Sequence, residues 1–543
     1  MTQYTTRFFS QRHRPRGVAP GYVVHGRWPI EPVVMFDGPN AIPGFFANGD
    51  IYYSLGQRPR NRASHVIPYS FSQGRCPWLW CAWPLANRAI RDVRLPNGLL
   101  FLFKKAIFNV ASGDTPVFFY QKVNVSRLFQ TDSIEAQEIY LDNHATTAVD
   151  PRVVDAMVPM MIRQYANAGS ITHEPGRLAA RILEQAKGQM LELLGTPQGD
   201  LVFTSGATES VNLALAGVCL HPRQKRRRLL IGSIDHRAVL DCARKLHKSG
   251  LSVQSLQPQQ CLQVQSSESQ GSSTPIGAYR IESLQEHLSE DVALVSLILG
   301  NNEIGSLQDM RPVADLCHSY GALLHLDATQ AVGKIHFDAL STGADLVSFS
   351  AHKFYGPKGV GGLLICNDQV KLTPQIVGGG QQNNLRSGTL NTAGIVGMAK
   401  ALEVAIAEIT TELPRIVQLR QQLWKRLQSG IDGLKLNGPS WLEDSRSPRT
   451  TLERLPGNLN VQFPSVDGQS LMLRVPSVAL SSGSACSSAE PQPSHVLLGI
   501  GLSEDQARCS LRFGIGRFNT ASQIDLAADL IISAYKELVD FVG

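Results

Sequence analysis

With 543 residues, 43% of them hydrophobic and 18% charged, the chain has room for a large buried core and more than one domain. No apolar run reaches the roughly 20 residues a membrane helix needs, so no membrane partner is expected. The net charge of +6 is uneven: residues 1–130 hold 16 Lys and Arg against 5 Asp and Glu, so the remainder is mildly acidic and gives no reason to invoke direct nucleic-acid binding. The 9 cysteines are scattered without paired CxxC spacings, which argues against a zinc site or disulfide framework and for a reducing compartment.

Residues 1–133 read as an N-terminal extension with no assigned role, either an appendage or upstream sequence outside the native protein. The first 30 residues are Arg-rich and lack acids, but they show no amphipathic helix, and the whole stretch is long for a transit peptide. A cytoplasmic location is therefore expected, with a mitochondrial or plastid address as the alternative. Cys76 and Cys81 lie among Trp78, Trp80 and Trp83, and without a second cysteine pair they make no metal site.

The pattern changes near Ser133. Ile139 to Leu141 reads as a short strand, followed by the turn Asp142-Asn143-His144-Ala145-Thr146-Thr147. Asp150-Pro151 then supplies an N-cap and a first-turn proline for a helix carrying Val153, Val154, Met157 and Met161. Leu201 to Thr204 is a strand running into Ser205-Gly206-Ala207-Thr208, which opens a helix. A small-residue turn at a helix N-terminus offers free N–H groups and the positive end of the helix dipole, a phosphate site that is neither Walker A nor GxGxxG. Leu229 to Ser233 is a strand leading to Asp235-His236, and ligands in open α/β sheets bind beyond such strand ends. Residues 254–279, rich in Gln and Ser, read as an exposed insertion.

Val292 to Leu299 and Ala322 to Leu326 are further strands, ending in Asn301-Asn302-Glu303 and Asp327-Ala328-Thr329-Gln330. A buried carboxylate facing a pyridine nitrogen keeps it protonated, which makes the ring an electron sink. Ala344 to Phe349 is an apolar strand that ends in Ser350-Ala351-His352-Lys353. A desolvated lysine there is a nucleophile suited to a Schiff base with pyridoxal phosphate. The turn at 205–208, Asp327 and Lys353 thus cover a phosphate, a ring nitrogen and an aldehyde. Asn302 and Gln330 can bond the ring oxygen. Farther on, Cys486 sits in Ser481-Ser482-Gly483-Ser484-Ala485-Cys486-Ser487-Ser488, an unencumbered small-residue loop unlike the apolar settings of Cys219 and Cys366. Arg512, on a strand, can clamp a carboxylate bidentately.

The segments YLDNHATTAVDPRV, TSGATES, NNEIG, HLDATQAVGK, SFSAHKFYGPKG, LRSGT, SSGSACSS and SLRFGIGRF resemble, in order and spacing, the cysteine desulfurases of the class V aminotransferase group, over about residues 138–540. The resemblance implies a fold-type I α/β enzyme dependent on pyridoxal 5'-phosphate. It would have a large domain at 134–395 around a mostly parallel, seven-stranded type of sheet, and a small C-terminal α/β domain at 396–543. It implies a homodimer with Lys353 bonded to the cofactor, Asp327 on the pyridine nitrogen and His236 stacked on the ring. Phosphate would be held by Ala207, Thr208, Ser350 and His352, with Thr389 reaching in from the partner subunit. Arg512, helped by Asn143, would bind the carboxylate of L-cysteine. Cys486 would take the sulfur as a persulfide for an acceptor protein, serving iron–sulfur clusters, tRNA thiolation or nucleic-acid sulfur modification.

Two positions depart from the family pattern. GGGQQNN at 378–384 lacks the usual charged pair near the dimer interface, and Asp235 replaces a Glu before the stacking His. The alternatives are a selenocysteine lyase or other class V enzyme, in which Cys486 is dispensable, and a sulfur-trafficking scaffold without the reaction.

Overall fold

The computed structural model describes residues 138–261, 274–440, 453–482 and 492–542, with four two-residue strands upstream. The chain separates into two units, Met1–Ser133 and Ile134–Gly543. In the first, Phe46–Ala47 pairs antiparallel with Asp50–Ile51, and Val93–Arg94 with Leu100–Phe101. Cys76 and Cys81 lie outside the described residues.

The second unit opens with β1 (Ile139–Tyr140) and continues through β2 (Asp200–Thr204), β3 (Arg228–Gly232), β4 (Ser252–Leu256), β5 (Val292–Ile298), β6 (Leu323–Asp327), β7 (Leu346–Ser350) and β8 (Gly361–Ile365). β2 to β8 form one seven-stranded sheet in the order β2-β8-β7-β6-β5-β3-β4. Only β8 runs against the others, pairing antiparallel with β7 and β2. Strands covered on both faces need apolar residues throughout, and β5 (VALVSLI) is buried at every position.

The covering helices are α1 (Pro151–Ile162), α2 (Glu174–Leu193), α3 (Ala207–Cys219), α4 (Arg237–Lys248), α5 (Arg311–Ser319) and the 39-residue α6 (Thr392–Gly430). The two-residue side-chain period of the strands divides the core. Leu230, Val295 and Leu364 pack with Leu183, Met190, Val313 and Met398 on one face. Their neighbours Leu229, Leu294 and Leu363 pack with Val211, Leu215, Val239 and Leu246 on the other.

A third core surrounds an antiparallel sheet of β9 (Lys435–Leu436), β10 (Asn458–Gln462) and β12 (Ser510–Gly514). β11 (Val478–Ala479) pairs parallel with β1, so Ile139 and Leu141 are buried in this C-terminal core. Around it pack the later turns of α6, through Leu419, Leu423 and Trp424, and α8 (Ala521–Val542), which follows a short α7 (His495–Gly499). α6 begins beside the domain boundary expected at 395 and joins both cores. It places Ile395 and Met398 in the first and Leu423 in the third. Asp150 caps α1 as expected, accepting from Arg152 N at 3.0 Å, and Arg517 beside β12 bonds both Asp150 and Glu412 of α6.

Among the described residues no helix is long and apolar enough to cross a membrane, and no three His, Cys, Asp or Glu side chains gather as a metal site. Because Leu141 is fully buried in the C-terminal core, Leu141→Ala should lower stability by about 2–5 kcal/mol in denaturant unfolding. An unchanged midpoint would show that the leading strand adds nothing to that core.

Candidate active site

The parallel alignment delivers five turns to one edge of the sheet: 205–208 after β2, 235–236 after β3, 301–303 after β5, 327–330 at the end of β6 and 351–353 after β7. The register sets Asp327 opposite Ile298 on one side and Ser348 on the other.

Lys353 ends a single 3-10 turn, Ala351–Lys353, that breaks β7. Its Nζ donates to the carbonyls of His144 and Ala145 at 2.7 and 2.8 Å. Asp327 is buried and accepts from Thr329 N at 3.0 Å. Two residues back on the same face of β6, His325 is held at both ring nitrogens, by Ser296 and Ser348 hydroxyls at 2.8 Å each. Burial pushes its pKa down to about 4, so an uncharged ring lies beneath the carboxylate. His236 caps α4 by accepting from Ala238 N at Nδ1, which leaves the ring proton on Nε2. Burial lowers its pKa, Asp327 opposes that shift and Lys353 adds to it, as expected for a ring near both. Asp235 accepts from Ile298 N, Tyr279 Oη and Gly232 N at 3.1–3.3 Å and so ties the ends of β3 and β5. The Asp at this position has a structural task.

In the turn at 205–208 the Ser205 N–H is taken by the Glu209 carboxylate at 2.7 Å, while the helix start itself is uncapped. Gly206, the N-cap of α3, offers no side-chain hydrogen bond to the first-turn N–H groups. A side chain at Gly361 would lie 2.7 Å from Gly206 Cα, so only glycine lets β8 pass so close beneath the turn. Ser350 is buried beside Gly206, whose added Cβ would meet its hydroxyl at 3.5 Å. His352 bonds Thr146 at 3.1 Å, and its pKa falls to about 4 through burial first and then the positive charge of Lys353 and Lys334. Thr389 is exposed. In place of the family's charged pair at 382–383, the Gln382 carboxamide clamps Phe203 of edge strand β2, accepting from its N at 2.7 Å and donating to its O at 2.8 Å. Arg386 bonds Glu209 of α3 at 2.8 Å.

At the other end of the site Arg512 is buried, pairs with Asp142 at 2.8 Å and donates to Asn302 O at 3.2 Å. Its Nε has no partner among the described residues. Asn143 does not join it. The Asn143 amide donates to Gly514 O at 2.8 Å and Asn519 Oδ1 at 3.2 Å, so it fastens the turn to β12. Cys486 lies outside the described residues. The chain enters that segment at Ser481, whose backbone bridges Arg512 and whose hydroxyl bonds Asp142 at 3.1 Å. It returns at Ser494 and His495. Ser494 caps α7 and donates to the buried Glu303, and His495 Nε2 lies 3.0 Å from Asp235 O.

Sequence reasoning gave no role to His144, Glu303, His325, Lys334 or Ser494. A polar residue inside an apolar strand is the signal available for His325. The others become visible only when distant segments meet.

The open groups fit pyridoxal phosphate. The uncapped helix start suits a phosphate, and the buried Thr329 hydroxyl has no partner among the described residues. Asp327 and Lys353 supply a carboxylate and an amine at the same edge. A mostly parallel sheet with these groups at its carboxyl edge defines the class of fold-type I pyridoxal phosphate enzymes.

Residues 139–526 match the model for aminotransferase class-V. The chain is 41% identical over 402 residues to cysteine desulfurase IscS of Anaeromyxobacter dehalogenans (strain 2CP-C), covering 74% of this chain and 93% of that one. A solved NifS-like protein superposes with a TM-score of 0.63 at 31% identity, covering 74% of this chain and all of the other. DndA from Streptomyces lividans superposes at 0.55 with 35% identity, covering 68% and 97%. The chain belongs to the class V aminotransferase family, among its cysteine desulfurases.

Glu303 gives a pH test. Burial raises its pKa to about 7, with the Ser494 hydrogen bond and then Arg512 opposing the shift. A carboxyl whose folded pKa exceeds its unfolded value of about 4.3 holds its proton more tightly when folded, so its contribution to stability falls as pH rises from about 4.5 through 7. Glu303→Gln should therefore gain stability over the wild type across that window, by a few kcal/mol at most, and parallel stability–pH curves would refute the assignment.

Proposed function

We propose that the chain is a cysteine desulfurase that removes sulfur from L-cysteine, releases L-alanine and keeps the sulfur as a persulfide on Cys486 for an acceptor protein. The observation that carries the reading is the meeting of Lys353, Asp327, the uncapped start of α3 and the buried Arg512 around one sheet edge. Ala207 and Thr208 offer N–H groups to the phosphate, with Ser350 and His352 beside them. Asp327 would hold the pyridine nitrogen, His236 would stack on the ring, and Asn302 and Gln330 would bond the ring oxygen.

When bound, pyridoxal phosphate supplies an electron sink for the pair released at the substrate's Cα. Arg512 holds the substrate carboxylate through a charge-assisted pair. The Lys353 amine takes the Cα proton and returns one to Cα after the sulfur has left. The Cys486 thiolate attacks the substrate's sulfur, so an S–S bond forms as the C–S bond breaks. The electron pair of that bond stays on carbon, which takes up a proton and becomes the methyl group of alanine. No outside oxidant or reductant enters.

A homodimer completes the reading. Thr389 is exposed on its own chain, as is Val377 at 78% exposure. Met161, Tyr165 and Ile171 are likewise exposed apolar side chains that a second copy can cover. Thr389 of the partner subunit then reaches the phosphate.

Lys353→Ala should lose both the visible absorbance of bound cofactor and alanine formation. Cys486→Ala should keep the absorbance while alanine release under limiting reductant drops about 100-fold or more and the persulfide mass adduct disappears. Alanine release at the wild-type rate from Cys486→Ala would remove that residue as the nucleophile. Arg512→Met should raise KM for L-cysteine about 10- to 100-fold.

A further inference from the structure

Behind Lys353 stands a second amine that the reaction does not use. Lys334 is partly buried and donates from Nζ to Gln330 Oε1 at 2.6 Å. Among the described residues no carboxylate pairs with it. Burial holds its pKa well below the ordinary lysine range, and repulsion from Lys353 and Arg512 adds to that. The same Gln330 oxygen meets His144 Nδ1 at 3.1 Å, and Gln330 Nε2 donates to His144 O at 2.9 Å. That carbonyl is also the one that receives Lys353 Nζ at 2.7 Å. One carbonyl oxygen therefore joins the reactive lysine to a glutamine whose other end rests on Lys334.

The donors and acceptors leave Gln330 a single orientation. A carboxamide has an oxygen that only accepts and an NH2 that only donates. Turning it over would set two acceptors, Gln330 Oε1 and His144 O, against each other, and would set its NH2 against the Lys334 amine. In the orientation present, both lone pairs of Oε1 are taken, by Lys334 Nζ and by His144 Nδ1–H. His144 must carry its proton on Nδ1 because its partner there is an oxygen. Its Nε2 is buried without a partner among the described residues, and burial followed by Lys334 and Arg512 keeps the ring neutral. One N–H of Gln330 goes to His144 O, and the second meets no acceptor among the described residues.

We propose that Lys334 is a positioning residue: it pins the Gln330 carboxamide so that the remaining N–H faces the ring oxygen of pyridoxal phosphate, and so steadies the His144 carbonyl that holds Lys353. This rests on the reading of the site as a pyridoxal phosphate site. Without Lys334 the amide keeps its orientation through His144 but loses its outer anchor, so it can swing together with His144, and both the N–H that faces the ring oxygen and the carbonyl that holds Lys353 lose their fixed place.

The test uses the full chain loaded with pyridoxal phosphate and compares Lys334→Met, Gln330→Ala and the double variant. Three quantities are read: the pH midpoint of the cofactor's visible absorbance change, kcat and KM for L-cysteine, and the melting temperature. Lys334→Met should stay folded and coloured, with the midpoint raised by about one unit and kcat lowered about tenfold at unchanged KM. The double variant should match Gln330→Ala alone, because no amide is left to orient. Additive shifts in the double variant would overturn the inference, since Lys334 would then act by charge alone. Lys334→Gln, which can meet Gln330 with a donor or an acceptor, should move the midpoint the same way by less, and it serves if the Met variant does not fold. A wild-type midpoint and kcat in the folded variants would also overturn the inference while leaving the cofactor reading intact. A wild-type chain with no visible absorbance overturns both, and is seen before any variant is made.

Discussion

Parallel hydrogen bonding in the central sheet is the constraint on which the site depends. Six of its seven strands run the same way, so each must leave at the same edge and return across a face before the next begins. Polar residues on turns far apart in sequence are thereby brought to one line without touching the apolar strands below. The antiparallel β8 enters at that edge with Gly361, and its lack of a side chain lets the strand run beneath the phosphate cradle. A strongly twisted or shifted register would move Asp327 away from Lys353 while leaving the core nearly intact, so the site is the more demanding of the two.

Around that edge the groups that position the site are mostly uncharged. His325 and His144 are kept neutral by burial, and His236 is shifted the same way. Each is tied by hydrogen bonds to neutral partners: serine hydroxyls, a backbone N–H or a glutamine oxygen. Neutral hydrogen-bonded rings can be buried at modest cost, whereas extra ions would need partners of their own. Charge is thereby concentrated in a few buried groups, among them the carboxylate of Asp327 and the Arg512–Asp142 pair.

The fold class and most of the reactive groups were legible in the sequence because they obey local rules. An apolar strand followed by polar residues and glycine marks a βα turn, and Lys353, Asp327 and the 205–208 turn each sit at such a junction. The placement of the leading strand was not legible. Ile139 and Leu141 read as a short strand within the expected large domain, but they pack in the C-terminal core, where β1 pairs with a strand more than 300 residues later, a pairing that no local pattern encodes. The contacts of Asn143 were hidden for the same reason: its amide finds Gly514 and Asn519, which its own neighbourhood does not reveal. The Gln382 clamp was hidden too, since a glutamine in a glycine-rich turn carries no sign of the strand edge it covers.

What remains after these neutral ties is an excess of positive charge. Beyond burial, the charges of Lys353 and Arg512 lower the proton affinity of Lys334 and His144, and those of Lys353 and Lys334 lower that of His352, while Asp142 is the carboxylate that pairs directly with Arg512. Gathering like charges in a poorly solvated edge is unfavourable unless an anion accompanies them. A dianionic phosphate and a substrate carboxylate supply that missing charge, so binding relieves a repulsion built into the fold as well as forming contacts. Ligand binding to the folded state alone stabilises it by mass action. The cationic excess and the open helix start are thus two expressions of one design: a fold completed electrostatically by the molecule it binds.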